Sequence, residues 1–248
     1  MRASGRPRLG ARSFPRAAMI AVLTVACSSG GNPSSSPRAS VTSPAASTST
    51  TAPLLPVEGF HMRPGVYSTG FQPRMLLDLQ QPVWGNDEDA MQFLVLYTQG
   101  TDADKSHRCS LIFLSPPSVY DPTATDKLVP VPPDLVVWLQ SNPDLGVESM
   151  ASLTVGGVRG TALDVTTAPG TTYPDSCFGS SCRYLFPASG FPPYGFSAGD
   201  RFRLIVLRVG GTQVVVSPES SFAPHAGCDF SVFGPQQQDL LRTLRFIG

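Results

Sequence analysis

Charge is scarce in this sequence, and basic charge is scarcer still beyond its first residues. Charged residues make up 15% of the 248 positions, and only two of the 18 basic residues are lysines. Five arginines and no acid lie in residues 1–26, so 13 basic and 18 acidic residues follow, a net charge of −5. Nothing after residue 26 forms a basic patch, which excludes a nucleic-acid binder. A hydrophobic content of 41% excludes wholesale disorder.

Long apolar segments and familiar cofactor motifs are also missing. The N-terminal apolar run at residues 17–26 has ten residues, whereas a transmembrane helix needs about 20. No P-loop, dinucleotide fingerprint or HExxH pattern occurs, and the three histidines lack metal-ligand spacing. We therefore expect no cofactor and no metal. The 25 prolines and 23 glycines favour turns over long helices.

The first residues have the layout of an export signal. An arginine-rich stretch followed by a ten-residue apolar run is typical of a secretory signal peptide. The run ends in LTVAC at residues 23–27, which resembles the lipobox of bacterial lipoproteins. Ala26 and Cys27 match that pattern, whereas Thr24 stands where leucine is usual, and it also fits ordinary signal cleavage after Ala26.

The lipobox resemblance implies a definite location. In that family the signal is cut just before the cysteine, which carries lipid on its sulfur. We therefore expect a signal peptide at residues 1–26, lipidation of Cys27 and attachment to the outer face of the cell membrane through the lipid. Two or three acyl chains anchor a protein firmly where one does not. Simple secretion is the alternative.

A polar segment follows the lipobox. Residues 28–57 contain nine Ser, four Thr, five Pro and four Ala among 30 residues, with Arg38 as the only charge. Such a segment has too few large apolar side chains to offset the entropy cost of ordering it. We interpret residues 27–57 as the lipidated cysteine and a disordered tether with a mean span of about 30 Å. A single globular domain at residues 58–248 is expected beyond it.

Four cysteines remain if Cys27 is lipidated. In an oxidising compartment they form two disulfides by default, and three connectivities are open. The short polar C-x4-C loop favours Cys177–Cys182, which leaves Cys109–Cys228 to join a mid-chain strand to the C-terminal region. Zinc is disfavoured because the spacing is not CxxC and no histidine is near in sequence.

The sequence of the domain predicts mainly short strands. Alternating or continuously apolar runs and two Gly-Gly turns predict strands and hairpins. The predicted strands cover residues 65–69, 74–79, 93–97, 109–114, 153–165 around one Gly-Gly turn, and 201–216 around the other.

Two helices are predicted beside these strands. Pro132-Pro133-Asp134 opens the first, with Trp138 on its core-facing side, and Asn142-Pro143 ends it. The second is expected to start at Pro235. The sequence therefore predicts an α+β fold, an antiparallel β-sheet of hairpins packed by two or three helices.

The order of elements resembles the PsbP-like α/β/α sandwich of secreted actinobacterial lipoproteins. The arginine-rich, lysine-poor composition fits such a source. The resemblance covers roughly residues 58–248 and includes no diagnostic motif. It implies a non-enzymatic accessory or binding role, and no catalytic residue is carried over from that family.

One pattern points to a different function. Residues 195–199 read G-x-S-x-G, which in serine hydrolases places the serine on a sharp strand-to-helix turn. Ser197 and His225, with Asp200 or Glu219 as the acid, would supply a triad. The flanks do not fit, because a proline-rich segment precedes the pattern and a strand follows it. We expect a glycine-rich turn and keep a tethered serine hydrolase as an alternative.

The remaining candidate binding features are the proline-rich loops, an acidic run and the three histidines. Rigid loops occur at residues 116–117, 130–133 and 191–194, and loops commonly carry binding. In the last of these regions, Phe191, Tyr194 and Phe196 could line an exposed binding patch, and packing of this loop onto the core is the favoured alternative. The acidic run at residues 86–89 and the three histidines (His61, His107 and His225) are interpreted as solvated loops.

These observations favour a non-catalytic function. We expect a cell-envelope lipoprotein whose domain binds an unknown envelope ligand or protein partner, with no catalytic residue. Two alternatives stay open: the hydrolase that uses Ser197 and His225, and a structural envelope protein.

Overall fold

The structure is a computed structural model that describes most of the predicted domain. The described residues are 52–56, 59–99, 109–124, 126–167, 172–173, 175–177, 180–188, 192–220 and 228–247, without the side chains of Ser176, Cys177, Ser180, Ser220 and Phe230. The predicted signal peptide, Cys27, most of the tether, His107, Phe191 and His225 lie outside these residues.

Strands dominate the described chain. The two helices among these residues are α1 (Leu135–Ser141) and α2 (Phe230–Thr243). The strands are β1 (Gly65–Ser68), β2 (Met75–Leu79), β3 (Gly85–Ala90), β4 (Phe93–Thr98), β5 (Cys109–Leu114), β6 (Ser118–Tyr120), β7 (Leu128–Pro130), β8 (Gly146–Val155), β9 (Val158–Thr166), β10 (Asp175–Cys177), β11 (Ser180–Phe186), β12 (Tyr194–Ser197), β13 (Arg201–Val209), β14 (Thr212–Ser220) and β15 (Arg245–Phe246).

A central sheet of seven strands organises the fold. Its order is β3-β4-β5-β14-β13-β9-β8, and every neighbouring pair is antiparallel. Smaller sheets have the orders β1-β2-β15, β10-β11-β12 and β6-β7. The predicted α+β class is confirmed in this β-rich form.

The central strands are buried on both faces. On β4, Leu94 and Leu96 join one apolar cluster, whereas Phe93 and Val95 join another. The first cluster includes residues of α2 and of the β1-β2-β15 sheet, and we call that side the α2 face. The second includes residues of α1 and of the β10-β11-β12 sheet, and we call it the α1 face. Burial on both faces explains why these strands are continuously apolar.

Both predicted Gly-Gly hairpins are confirmed. Gly156 and Gly157 have φ angles of +57° and +81°, and they join β8 to β9. Gly210 and Gly211, at +55° and +90°, join β13 to β14. Two consecutive positive φ angles define the turn whose twist matches a tight hairpin, and glycine adopts them without steric cost.

The first helix starts and ends as predicted. The Asp134 carboxylate accepts a hydrogen bond of 3.0 Å from the Val137 N–H, which caps the N-terminus of α1. Asn142 ends the helix before Pro143. Leu135 and Leu139 are buried in the α1 face.

The predicted start of the second helix was wrong. α2 begins at Phe230, five residues before Pro235, which lies inside it. The carboxylate of Asp229 caps this end by accepting from the Ser231 N–H at 2.9 Å, and Gln99 bonds both backbone groups of Asp229. The cap therefore determines the start, and the helix tolerates a proline that lacks one intrahelical donor.

Two segments interpreted as polar coil are structured. The acidic run at residues 86–89 lies in the edge strand β3, where the Asp89 carboxylate accepts from the backbone N–H groups of Gly70 and Phe71. At the predicted tether, Leu54 pairs with Ser68 and Leu55 is 3% exposed. The folded part therefore begins before residue 58, because these two leucines supply strand pairing and apolar burial.

Candidate functional site

An open groove lies where four chain segments meet. We call it the proline groove, after Pro116, Pro117, Pro132 and Pro133 in its walls. Its volume is about 410 Å³, within the range of roughly 300–1,000 Å³ that is usual for ligand sites. The segments are the β3–β4 turn, the β5–β6 connection, the approach to α1 and the β13–β14 turn.

Side chains of the central sheet hold the wall of the proline groove in place. Buried Gln213 on β14 donates from Nε2 to the Pro132 carbonyl and accepts from the Leu135 N–H at 3.2 Å. Arg208 on β13 donates to the Pro133 carbonyl. These bonds fix the diproline segment and the start of α1 against the sheet, and the proline rings restrict the backbone further. The wall is therefore pre-formed.

The lining of the groove suits binding. Gln92, Ser115 and Thr212 supply neutral donors and acceptors, Arg208 supplies a positive charge, and no acid lies among its described lining residues. The proline rings and Val131 supply apolar contact. Among the described lining residues, no nucleophile lies beside a general base.

A second cleft is too small for a ligand. It lies between α2 and the β2–β3 connection, near Trp84, Asp239 and Thr243. Its volume of about 20 Å³ leaves room for about one water molecule.

A buried polar network lies under β12. The Tyr194 hydroxyl is 2.9 Å from the Ser217 Oγ, which in turn is 3.2 Å from Glu219 Oε1 and from the Arg203 carbonyl oxygen. Burial raises the pKa of Glu219 to about 7, against the hydrogen bonds from Tyr194 and Ser217, and the charge of Asp200 adds to the rise. Burial also raises the pKa of Tyr194. Ser217 is fully buried and Tyr194 is 8% exposed, whereas Glu219 is half-buried.

The predicted aromatic patch is not exposed at the two positions that are described. Tyr194 and Phe196 are 8% and 3% exposed, because alternate residues of β12 point into the α1 face. The Phe196 ring lies 5.5 Å from Tyr173 and 5.8 Å from Phe202. Phe191 falls outside the described residues. These rings stabilise the core, and the prediction of a surface patch is corrected accordingly.

Ser197 lies at a turn between two strands. It ends β12, and the Asp200 N–H donates to the Ser197 carbonyl at 3.2 Å. The Asp200 carboxylate accepts from the Ser197 N–H at 2.6 Å, and Gly199 has a φ of +85°. β13 follows at Arg201, so the strand-to-helix turn of a hydrolase elbow is absent here.

The acid and base partners predicted for Ser197 have other roles or are not described. Asp200 holds the turn and Glu219 belongs to the buried network. His225 lies outside the described residues. His61 is bonded through Nδ1 to the Pro82 carbonyl at 2.7 Å. The described residues therefore assemble no triad at Ser197.

One predicted disulfide is confirmed. Cys109 at the start of β5 is bonded to Cys228, which precedes α2. Cys182 is also in a disulfide. The side chain of its predicted partner, Cys177, is outside the described set, so that pairing stays a prediction.

Two further features are absent from the described residues. Among the described residues, no three or more His, Cys, Asp or Glu side chains are grouped to hold a metal ion. No described helix is both long and apolar enough to cross a bilayer.

Comparison with known proteins adds no relative. Neither the protein families, nor the curated proteins, nor the solved structures include a match to this chain. The candidate site therefore depends on geometry alone.

The proline groove was only partly visible in the sequence. The rigid prolines at residues 116–117 and 130–133 predict loops of the kind that commonly carry binding. Gln92, Arg208 and Gln213 carried no local signal, because antiparallel pairing brings them together from distant parts of the chain.

Proposed function

We propose that this protein is a cell-envelope lipoprotein whose folded domain binds a ligand or a protein partner in the proline groove without catalysis. The observation that carries the proposal is a pre-formed groove of about 410 Å³ with hydrogen-bonding groups and no reactive pair. A groove of ligand size favours binding over the alternative of a purely structural envelope protein.

The location is part of the same proposal. The arginine-rich leader and the LTVAC sequence at residues 23–27 support export and lipidation at Cys27. The Cys109–Cys228 disulfide is in keeping with an oxidising compartment. The protein would then stand on the outer face of the membrane, with secretion as the second choice.

The finer fold assignment is also proposed. Coverage of both faces of the central sheet supports a PsbP-like α/β/α sandwich. The small β-sheets cover these faces together with α1 and α2. The serine hydrolase alternative gains no support from the turn at Ser197.

The lipid anchor gives the first prediction. In cells fed a labelled fatty acid, the unmodified chain should incorporate label and sediment with membranes. Cys27→Ser should lose the label and leave the membrane fraction, because the acylated sulfur is gone. Ser28→Ala is the matched control and should behave like the unmodified chain. Equal labelling of Cys27→Ser would contradict lipidation at this position.

The proline groove gives the second prediction. A photo-crosslinking amino acid at Thr212, in the lining, should capture the bound ligand or partner on the full chain in its membrane. The same probe at Val66, which is 44% exposed on β1, should capture little. Adding Gln92→Trp should fill the groove and lower the Thr212 adduct at least about tenfold, which corresponds to about 1.4 kcal/mol. Equal adducts at Thr212 and Val66 would argue against binding there.

A further inference from the structure

The outer side of β8, which we call the β8 edge, ends the central sheet. β8 spans Gly146–Val155 and pairs with β9 alone among the described strands. Residues 148–152 are all exposed, and the apolar side chain of Met150 is 52% exposed. A long edge strand presents a row of backbone donors and acceptors to any strand that approaches it.

The hairpin geometry shows which residues present those groups. In a two-residue hairpin the flanking residues, here Val155 and Val158, exchange both backbone hydrogen bonds. Residues 151 and 153 therefore also bond to β9, since hydrogen-bonded pairs alternate along the ladder. The N–H and C=O groups of Met150, Ser152 and Thr154 point away from β9, toward the β8 edge.

The two edges of the central sheet are treated differently. At the opposite edge, β3 has consecutive acids at Asp87–Asp89, a bulge after Asn86, and a bridge from Asn86 to Gly59. Charges and bulges at an edge block strand addition. The β8 edge has neither charge nor proline from residue 149 to 155. It is therefore the edge suited to pairing with another strand.

The geometry points to a symmetric dimer in which two copies of this chain pair antiparallel through the β8 edge, around a two-fold axis at Ser152. This inference is independent of the proline groove. It makes one continuous sheet of fourteen strands from two central sheets of seven. The commonest oligomers are two-fold dimers of this self-complementary kind.

The sequence of β8 is compatible with antiparallel pairing to β8 of a second copy. When the two-fold axis lies at Ser152, each residue whose backbone groups face the β8 edge has a partner in the second copy. Ser152 lies opposite Ser152, and Met150 lies opposite Thr154. On the α2 face, half-buried Leu153 meets exposed Ala151 of the second copy and covers apolar surface. No two like charges are brought opposite each other, because the charged Glu148 lies outside this segment and pairs with Arg201 at 2.6 Å.

Disulfide trapping tests the register. In the full chain in membranes, Ser152→Cys should give a cross-linked dimer under mild oxidation, because directly opposed hydrogen-bonded residues have Cα atoms about 5.5 Å apart. Thr161→Cys is the matched control. It pairs with Ser152 across the hairpin, and its copies would be about 15 Å apart given a strand spacing of about 4.8 Å. Equal cross-linking at the two positions would overturn the proposal.

Mass measurement tests the dimer without new cysteines. The full chain in detergent should have twice the protein mass of one copy. Ser152→Lys should return it to one copy by placing two ammonium groups opposite each other, whereas Thr161→Lys should leave the dimer intact. A monomer at all concentrations overturns the proposal. So does trapping of Ser152→Cys to a chain of a different mass, which would identify the β8 edge as a site for another protein.

Discussion

Removing the Cys109–Cys228 disulfide should lower the free energy of unfolding by about 4–5 kcal/mol. The two cysteines are 119 residues apart in sequence, and a cross-link over so long a loop removes much entropy from the unfolded chain. Cys109 is fully buried in the α2 face, so its loss also removes apolar packing. The Cys109→Ala/Cys228→Ala double variant should show this loss in urea unfolding followed by circular dichroism.

The second disulfide is the matched control for this result. If Cys182 pairs with Cys177, removing both cysteines opens a loop of about six residues, and the same model gives a loss of only about 2 kcal/mol. The two double variants should therefore differ by about 2–3 kcal/mol. Equal losses would show that constraint of the unfolded chain is not what the long-range disulfide contributes.

Lowering the pH from 8 to 5 should stabilise the domain by about 2–3 kcal/mol. The pKa of Glu219 is about 7 in the folded protein against 4.5 for the free side chain. Between these values the folded state binds more protons than the unfolded state, so stability falls as pH rises. Burial also raises the pKa of Asp89, which acts in the same direction.

A carboxylate whose pKa is lowered in the folded protein limits this gain in stability at lower pH. Arg203 and Ser149 hold the pKa of Asp164 down to about 2, against an ordinary 3.8. Its contribution is present above 3.8 and is lost as the pH falls toward 2. Stability should therefore be greatest between about pH 4 and 5.

Glu219→Gln is the variant that isolates the effect. It keeps the shape of the side chain and its contact with Ser217, but it cannot titrate. Unfolding in urea at pH 8 and pH 5 should then give nearly equal free energies, apart from the smaller contribution of Asp89. A pH slope as steep as that of the unmodified chain would show that another group controls it.

Local chemistry explains what the sequence predicted well. The tight hairpin turns require positive φ angles, which Gly156-Gly157 and Gly210-Gly211 adopt, so each Gly-Gly pair predicted its hairpin directly. The prolines at residues 132–133 and 143 marked the two ends of α1, which spans Leu135–Ser141. Continuously apolar runs identified the strands that are buried on both faces. Such signals need no knowledge of the rest of the fold.

The errors came from residues whose role depends on distant partners. Asp89 looks solvated until Gly70 and Phe71 present backbone donors to it. Pro235 suggested a helix start, but Asp229 supplied the cap and Gln99, just after β4, anchored it. Alternation of Tyr194 and Phe196 with smaller residues is a local signal of burial, and it favours packing onto the core over a surface patch.

The site was the least predictable feature. The proline groove joins residues near 92, 116, 132 and 212, which only the completed sheet brings together. Glu219 follows Pro218 in a sequence that indicates a strand end, and its hydrogen bond with Tyr194 depends on β12 lying nearby. No periodic pattern in the sequence indicates that these distant residues come together.

The two apolar clusters share no side chain, because the central sheet separates them. Val131 of the groove wall packs against one cluster, whereas α2 contributes to the other. Mutations that repack the α2 face would therefore affect the proline groove only through the backbone of the sheet. The residues of one apolar cluster could change during evolution while the other cluster kept the shape of the groove, so related chains could differ widely in sequence around an unchanged groove.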